Sequence, residues 1–428
     1  MGTEVTAAAA SGLLPRMTCP HCWNVFEPND VLWVATHPSL RGDARQGADA
    51  FRRFLPSRFG PGGGALDENG AECTELACPR CHLHVPRLCT ELPAWFVSVF
   101  GAPSAGKSFF LAAMTWTLRR RLPGLFRMAF TDADAAANRL LAGYEERLFA
   151  HPNPDSLSPL GELIVKTQEQ GDPYNTALYG NTEVKYPRPF LFSLRPQANH
   201  LHPAEPGRVL TLYDNAGESF LAGGDTSANP VTRHLAESSA LLFLFDPTQY
   251  HPFRARLGGS AAVATDAPAT AAGSRQDLIL IEAATRVRRF ARLRDSDKHD
   301  RPLVVIVAKQ DVWGRLVPEI ETVGPVTALD AKGYGVFLPE RMEALSRAIR
   351  GLLVETTPEV VAAAENFAKK VVYVGVSSLG TTPVPYPGTN KWAVRPSDIQ
   401  PAGVELPLLY ALNLKFPKLI PSPPARKS

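Results

Sequence analysis

The sequence predicts an α/β fold: a phosphate-loop domain of alternating strands and helices, preceded by a small zinc-ribbon module. Three observations carry this. A glycine loop, Gly101-Ala-Pro-Ser-Ala-Gly106-Lys107-Ser108, lies between a strand pattern and a helix pattern. Apolar runs rich in β-branched residues recur after it, at Arg208–Tyr213, Ser239–Phe245, Pro302–Ala308 and Lys370–Val376, with helix patterns between the later ones. Two Cys-Pro-x-Cys motifs, at Cys19–Cys22 and Cys78–Cys81, stand ahead of the loop.

Length and charge narrow the possibilities. A chain of 428 residues has room for two or three domains. Lys and Arg nearly balance Asp and Glu, leaving a net charge of +3, which makes no case for nucleic-acid binding by the whole chain. No apolar run reaches the roughly 18 residues of a membrane span. The N-terminus has an early acid and no basic stretch, which argues against a signal peptide. Four of the six cysteines stand in C-x-x-C pairs, a metal-binding usage expected of a cytoplasmic protein.

The expected division is a disordered segment over residues 1–16, a zinc-ribbon module over 17–92, a phosphate-loop domain over 93–415 with a flexible loop at 257–275, and a disordered tail over 416–428. In the module, Cys19, Cys22, Cys78 and Cys81 would complete a tetrahedral Zn²⁺ site. The long separation of the two pairs reads as an insertion. It carries the basic-aromatic run Phe51–Phe59, which could touch a partner, pack on itself or face solvent. Cys73 and Cys89 are expected as free buried thiols. The module should abut the next domain, because the loop follows closely on the second pair.

Trp95–Phe100 reads as a buried strand, and Phe109–Arg121 as a helix closed by Pro123-Gly124. That geometry turns backbone N–H groups toward an anion, with the helix dipole behind them. Gly101, Ala102, Ser104, Ala105, Gly106 and Phe109 would cradle phosphates. Lys107 would reach the β/γ-phosphates as a catalytic cation, and Ser108 would ligate Mg²⁺.

Arg208–Tyr213 ends in Asp214-Asn-Ala-Gly217-Glu218. Asp214 there can hold the water shell of Mg²⁺, and Gly217 lets the backbone approach a γ-phosphate. Pro302–Ala308 ends in Lys309-Gln-Asp311. The Asp311 carboxylate can accept both N1–H and the N2 amino proton of guanine, while the Lys309 stem covers the base. The last strand pattern, Lys370–Val376, ends in Ser377-Ser378, whose backbone could meet the base. On the helix pattern Asp277–Arg294, Arg286, Arg288, Arg289, Arg292 and Arg294 read as a solvated basic face.

Phosphate loop, D-x-x-G strand, Ala308-Lys-x-Asp strand and small-residue loop occur in the order of the G domain of Ras-like, TRAFAC-class GTPases. With the zinc ribbon ahead, the chain resembles the bacterial "double-GTPase" proteins of conflict or defence systems. The resemblance implies a mixed, mostly parallel six-stranded sheet between helices, with the site at the strands' carboxyl ends. It also implies a first-switch threonine, for which Thr182 is the choice as a Mg²⁺ ligand and Thr176 its rival. Ala308 departs from the family's asparagine or threonine, and Glu218 stands where a water-orienting glutamine is common. Slow hydrolysis follows, with Glu218 and Gly217 at the catalytic position. Arg195 and Arg233 are candidates for an arginine finger, unless a partner supplies one.

The leading expectation is a GTP/GDP switch, acting with Mg²⁺ on an unidentified effector protein, that orders Thr182 and Asp214–Asp225 when GTP is bound. One alternative is a phosphate-loop ATPase. The other is a zinc-ribbon adaptor or scaffold whose domain binds nucleotide and hydrolyses it poorly.

Overall fold

The computed structural model describes residues 12–164, 174–214, 233–258, 275–328 and 333–423. The main domain runs β1 (Ala94–Gly101), α1 (Lys107–Arg121), β2 (Met128–Asp132), α2 (Ala135–Phe149), β3 (Pro189–Pro196), β4 (Arg208–Asp214), α3 (Arg233–Glu237), β5 (Ala240–Phe245), α4 (Gln276–Ala291), β6 (Leu303–Val307), α5 (Pro339–Thr356), α6 (Pro358–Phe367), β7 (Val371–Gly375) and α7 (Leu406–Lys415).

Seven strands form one sheet in the order β2-β3-β4-β1-β5-β6-β7. From β4 to β7 all pairings are parallel, and β3 is antiparallel to both of its neighbours. β5 and β6 are buried at every residue, as strands covered on both faces must be. After β1 the chain leads away to β2; after β4 it crosses to β5 on the other side of β1. The carboxyl end of β1 is therefore a topological switch point, where an open α/β sheet leaves a crevice.

The expected six strands become seven. Met128–Asp132 pairs along its whole length with Phe192–Pro196. It is short and ends in exposed Thr131 and Asp132, as an edge strand does. The chain beyond Lys415 also differs from the expected tail. Phe416 packs edge-on against Trp95, Leu419 and Ile420 are fully buried, and Phe337 N–H donates to the Pro421 carbonyl at 2.8 Å. On α4 the basic face is incomplete. Arg286 is buried and paired with Glu282 at 2.6 Å, while Arg289 and Arg292 stay exposed.

The insertion between the cysteine pairs is folded. Leu32–Val34 pairs with Arg53–Phe54 on one side and Leu76–Ala77 on the other. Buried Asp43 accepts from the backbone of Arg45, Gln46 and Arg53 and pairs with His82 at 2.9 Å. Buried Asp67 accepts from Thr36, His37, Asn69 and Ala71. Each carboxylate organises a loop by satisfying otherwise orphaned N–H groups. The module abuts the sheet as expected: Met17, Trp23 and Val85 share one apolar cluster with Leu191, Val209 and Tyr213 of β3 and β4. A hairpin, Tyr174–Tyr179 with Thr182–Pro187, packs into the same cluster through Ala177 and Tyr186.

Candidate functional site

The glycine loop lies at the carboxyl end of β1. Gly101 touches β5 so closely that a Cβ there would sit 2.3 Å from the Leu244 carbonyl oxygen. Gly106 caps α1 with φ of 91°, a left-handed conformation that a side chain would strain. Ser104 adopts φ of 59° without being glycine. Lys107 folds over the loop, its Nζ donating to the carbonyls of Gly101 at 3.0 Å and Ala102 at 2.9 Å. Ser108 follows in the first turn of α1, and Asp214 at the end of β4 is paired opposite Val99, two residues before Gly101.

β6 ends in Ala308, and Lys309 turns the chain with φ of 59° into the helical turn Gln310–Trp313. Lys309 Nζ pairs with Asp246 Oδ2 at 2.9 Å. Asp246 is fully buried at the end of β5, and its other oxygen accepts from Thr248 N and Oγ1. Although Asp311 as a residue is exposed, its carboxylate tucks against the Ser377 hydroxyl, which donates to it, and Thr382 Oγ1 lies 3.5 Å away. Burial raises the Asp311 pKa against the lowering effect of the Ser377 hydrogen bond.

Ser377 is strapped from behind by Ala402, through N–H···O=C bonds of 2.9 and 2.8 Å. Gly380, at φ of 70°, passes so close to Gln400 that a Cβ would meet its carbonyl oxygen at 1.8 Å.

These pieces line one cleft of about 130 Å³, open to solvent. Ser104, Ala105, Gly106 and Phe109 line one end, and Lys309, Asp311, Ser377 and Ser378 the other. The structure thus brings Ser104, Ala105, Gly106 and Phe109 into one cleft with Lys309, Asp311, Ser377 and Ser378, whereas Gly101, Ala102, Lys107 and Ser108 of the glycine loop are not among the residues that line it. Of six left-handed non-glycine residues among those described, two, Ser104 and Lys309, line this cleft. Strain of roughly 1–3 kcal/mol per residue persists where surrounding structure imposes it, commonly at binding sites. Sequence reading missed Asp246, Gln249 and Thr382. Asp246 carried a usable signal, an acid closing a buried strand as Asp214 does; Thr382 carried none.

Other expected residues lie elsewhere. Gly217 and Glu218 fall outside the described residues. Thr182 is exposed at the tip of the hairpin, opposite Tyr179, and does not line the cleft. Thr176 is held by its carbonyl to Gln46 Nε2 at 3.2 Å. Arg195 lies at the far end of β3 beside Glu91. Because β3 runs antiparallel to β4, that end is the one opposite the glycine loop, and Arg195 is not a finger for this cleft. Arg233 pairs with Glu237 at 3.1 Å and lies over the Trp23 ring.

The metal centre is the second candidate site. Cys19, Cys22, Cys78 and Cys81 are buried, with all sulfurs within 4.8 Å of one another. Cys19–Cys81 and Cys22–Cys78 sulfur separations are 3.8 and 3.6 Å. A tetrahedron with Zn–S bonds of about 2.3 Å has edges of about 3.8 Å, so the donor set fits Zn²⁺. The two knuckles repeat one design. Each second cysteine is followed by a left-handed residue, Trp23 or His82. In each, the first cysteine's sulfur accepts from the backbone N–H two residues on, at 3.4 Å for both His21 and Arg80. Burial holds the Cys19 thiol well above its usual pKa, so a cation amid the sulfurs is what makes thiolates favourable. His21 is no ligand: its Nε2 lies 2.9 Å from the His84 carbonyl, and burial lowers its pKa to about 4. Cys73 and Cys89 are free and buried, as expected.

No family model matches the chain. Over 258 residues it is 26% identical to a protein of Mycolicibacterium smegmatis (strain ATCC 700084 / mc(2)155) named "Putative ESX-1 scaffolding and assembly protein SaeC". The match covers 56% of this chain and spans 59% of that protein's length. Among the described residues, no helix is long and apolar enough to cross a membrane.

Proposed function

We propose that this chain is a zinc-ribbon scaffold whose α/β domain binds a guanine nucleotide with Mg²⁺ and hydrolyses it poorly. The observation that carries the reading is the single cleft lined by Ser104–Gly106 together with Asp311 and Ser377. Phosphate at one end and a purine base at the other would suit such a cleft. Lys107 and Ser108 would meet the phosphates and Mg²⁺, and Asp214 the metal's water shell. The mostly parallel sheet and the loop's place at its switch point support the same reading. The relative's name, an ESX-1 scaffolding and assembly protein, supports the scaffold half, with ESX-1 assembly components as the class of partner.

Binding of labelled GTP and ATP, with Asp311→Asn and xanthosine triphosphate in parallel, tests the nucleotide half. GTP should bind best, and the variant should prefer xanthosine triphosphate. Equal ATP binding with no effect of the variant would refute base reading by Asp311.

A second reading, the hydrolysing GTP switch, is favoured by Asp214 lying alongside the end of β1. Multiple-turnover phosphate release separates the two: sustained turnover supports the switch, a single stoichiometric product the scaffold.

A further inference from the structure

The first metal knuckle is hydrogen-bonded to the residue that precedes Asp214. Tyr213 is the residue before Asp214 and is fully buried. Its hydroxyl donates to the Pro20 carbonyl, inside the first knuckle, at 2.6 Å, and accepts from Trp23 Nε1, just after that knuckle, at 2.9 Å. Trp23 and Tyr213 rings also pack at 6.0 Å. One residue on, Asp214 is paired opposite Val99, two residues before Gly101.

The second knuckle reaches the same end of the sheet by another route. Gln46 Nε2 donates to the Cys81 carbonyl at 3.0 Å and to the Thr176 carbonyl at 3.2 Å. The first knuckle touches the same hairpin, with Asn175 Nδ2 3.3 Å from His21 Nδ1. The hairpin held this way runs directly into β3, whose first residue, Pro189, is paired with Tyr213. Both knuckles thus bear on the segment that ends in Asp214.

We infer that Tyr213 is a positioning residue that couples the four-cysteine metal centre to the proposed Mg²⁺–nucleotide site by setting Asp214 against the glycine loop. The inference rests on the nucleotide-binding reading above. Packed, hydrogen-bonded contacts of this kind link two sites only if each ligand favours the same arrangement, and the linkage is then reciprocal. Binding of a guanine nucleotide with Mg²⁺ therefore raises zinc affinity, and loss of zinc weakens nucleotide binding by the same factor.

The test is an equilibrium competition for zinc between the full chain and a chelator of known affinity. It is run with and without GTP and Mg²⁺, and nucleotide binding is titrated separately. Lys107→Ala in the same solutions controls for zinc held by free nucleotide. The expected result is a rise in zinc affinity of about fivefold or more in the wild type. Lys107→Ala should show none, and Tyr213→Phe less than about a third of the wild-type rise. Trp23→Phe removes the other hydrogen bond to the same hydroxyl and serves if Tyr213→Phe does not fold. If nucleotide binds and zinc affinity does not change, the coupling is refuted while the nucleotide reading stands. If the full rise persists in the folded variants, Tyr213 is not the link. If no nucleotide binds to the zinc-loaded wild type, both readings fall together.

Discussion

Lys309 Nζ lies 2.9 Å from Asp246 Oδ2, an ion pair that ties the turn after β6 to the end of β5. Asp246 is buried and held by Thr248 and Gln249, whereas the lysine is about a third exposed. The acid is therefore the fixed partner, and it holds the Lys309 stem along the cleft wall. Ala308 cannot contribute a side-chain hydrogen bond to this corner, so Asp246 supplies the order there. Asp246→Asn keeps the shape and removes the charge. GTP affinity should fall about tenfold, or ~1.4 kcal/mol. Lys309→Ala should lower affinity similarly, and the double variant should lose less than the sum of the two single losses, the non-additivity that a double-mutant cycle reads from a coupled pair.

Gly380 is the position where the last loop tolerates no side chain. Its φ is 70°, and an added Cβ would collide with Gln400 backbone. Gly380→Ala should displace the 377–380 loop or the strap behind it, at a cost of about 2 kcal/mol or more. Since Ser377 holds Asp311, the damage should be confined to base binding. Affinity for GTP should drop, while affinity for inorganic triphosphate, measured by competition, stays within about twofold.

The legible parts of this molecule are those written in local sequence. Gly101–Ser108, Asp311 and Ser377–Ser378 each close a strand pattern, and the structure lines one cleft with members of all three. The cysteine pairs were legible because knuckle geometry lies within four residues. What escaped depends on distant pairing. β2 is a strand only because Thr131 meets Ser193 across the sheet edge. The C-terminal residues look polar and proline-rich, yet Leu419 and Ile420 find an apolar site made by remote elements. Arg195 stands away from the cleft because β3 runs antiparallel, which nothing local reveals. The location of Thr182 depends on the hairpin's ties to Arg45 and Gln46, which lie about 130 residues earlier in the chain.

The metal centre should hold one zinc per chain, measurable by elemental analysis. Cys78→Ser removes one thiolate of four and should lower retained zinc by more than tenfold. A strong chelator at neutral pH should do the same to the wild type, because structural zinc commonly supplies folding free energy to its module. Trp23 is 6% exposed, packed beside the first knuckle. Its release should shift tryptophan emission to longer wavelength as zinc leaves, and the shift should reverse on adding zinc back.

His234 gives the fold a defined acid sensitivity. Its ring is fully buried against the face of β1 and β4, with Nδ1 2.6 Å from Ser98 Oγ and the ring 5.1 Å from that of Tyr213. Burial lowers its pKa to about 3. The unfolded chain, with an imidazole pKa of about 6.5, therefore binds more protons than the folded one between about pH 6.5 and 3. The stabilising contribution is complete above about pH 6.5 and is lost as pH falls through that window, by up to a few kcal/mol. His299, lowered to about 4 by burial, acts in the same direction. Denaturant unfolding of the zinc-loaded chain at pH 7.5 and 5.5 should show lower stability at the acidic value. His234→Gln keeps a polar group near Ser98 but cannot titrate, so the difference between the two pH values should shrink by about 1 kcal/mol, the share expected from a proton bound only in the unfolded state one unit below its pKa. An unchanged difference would show that the acid sensitivity arises from other groups.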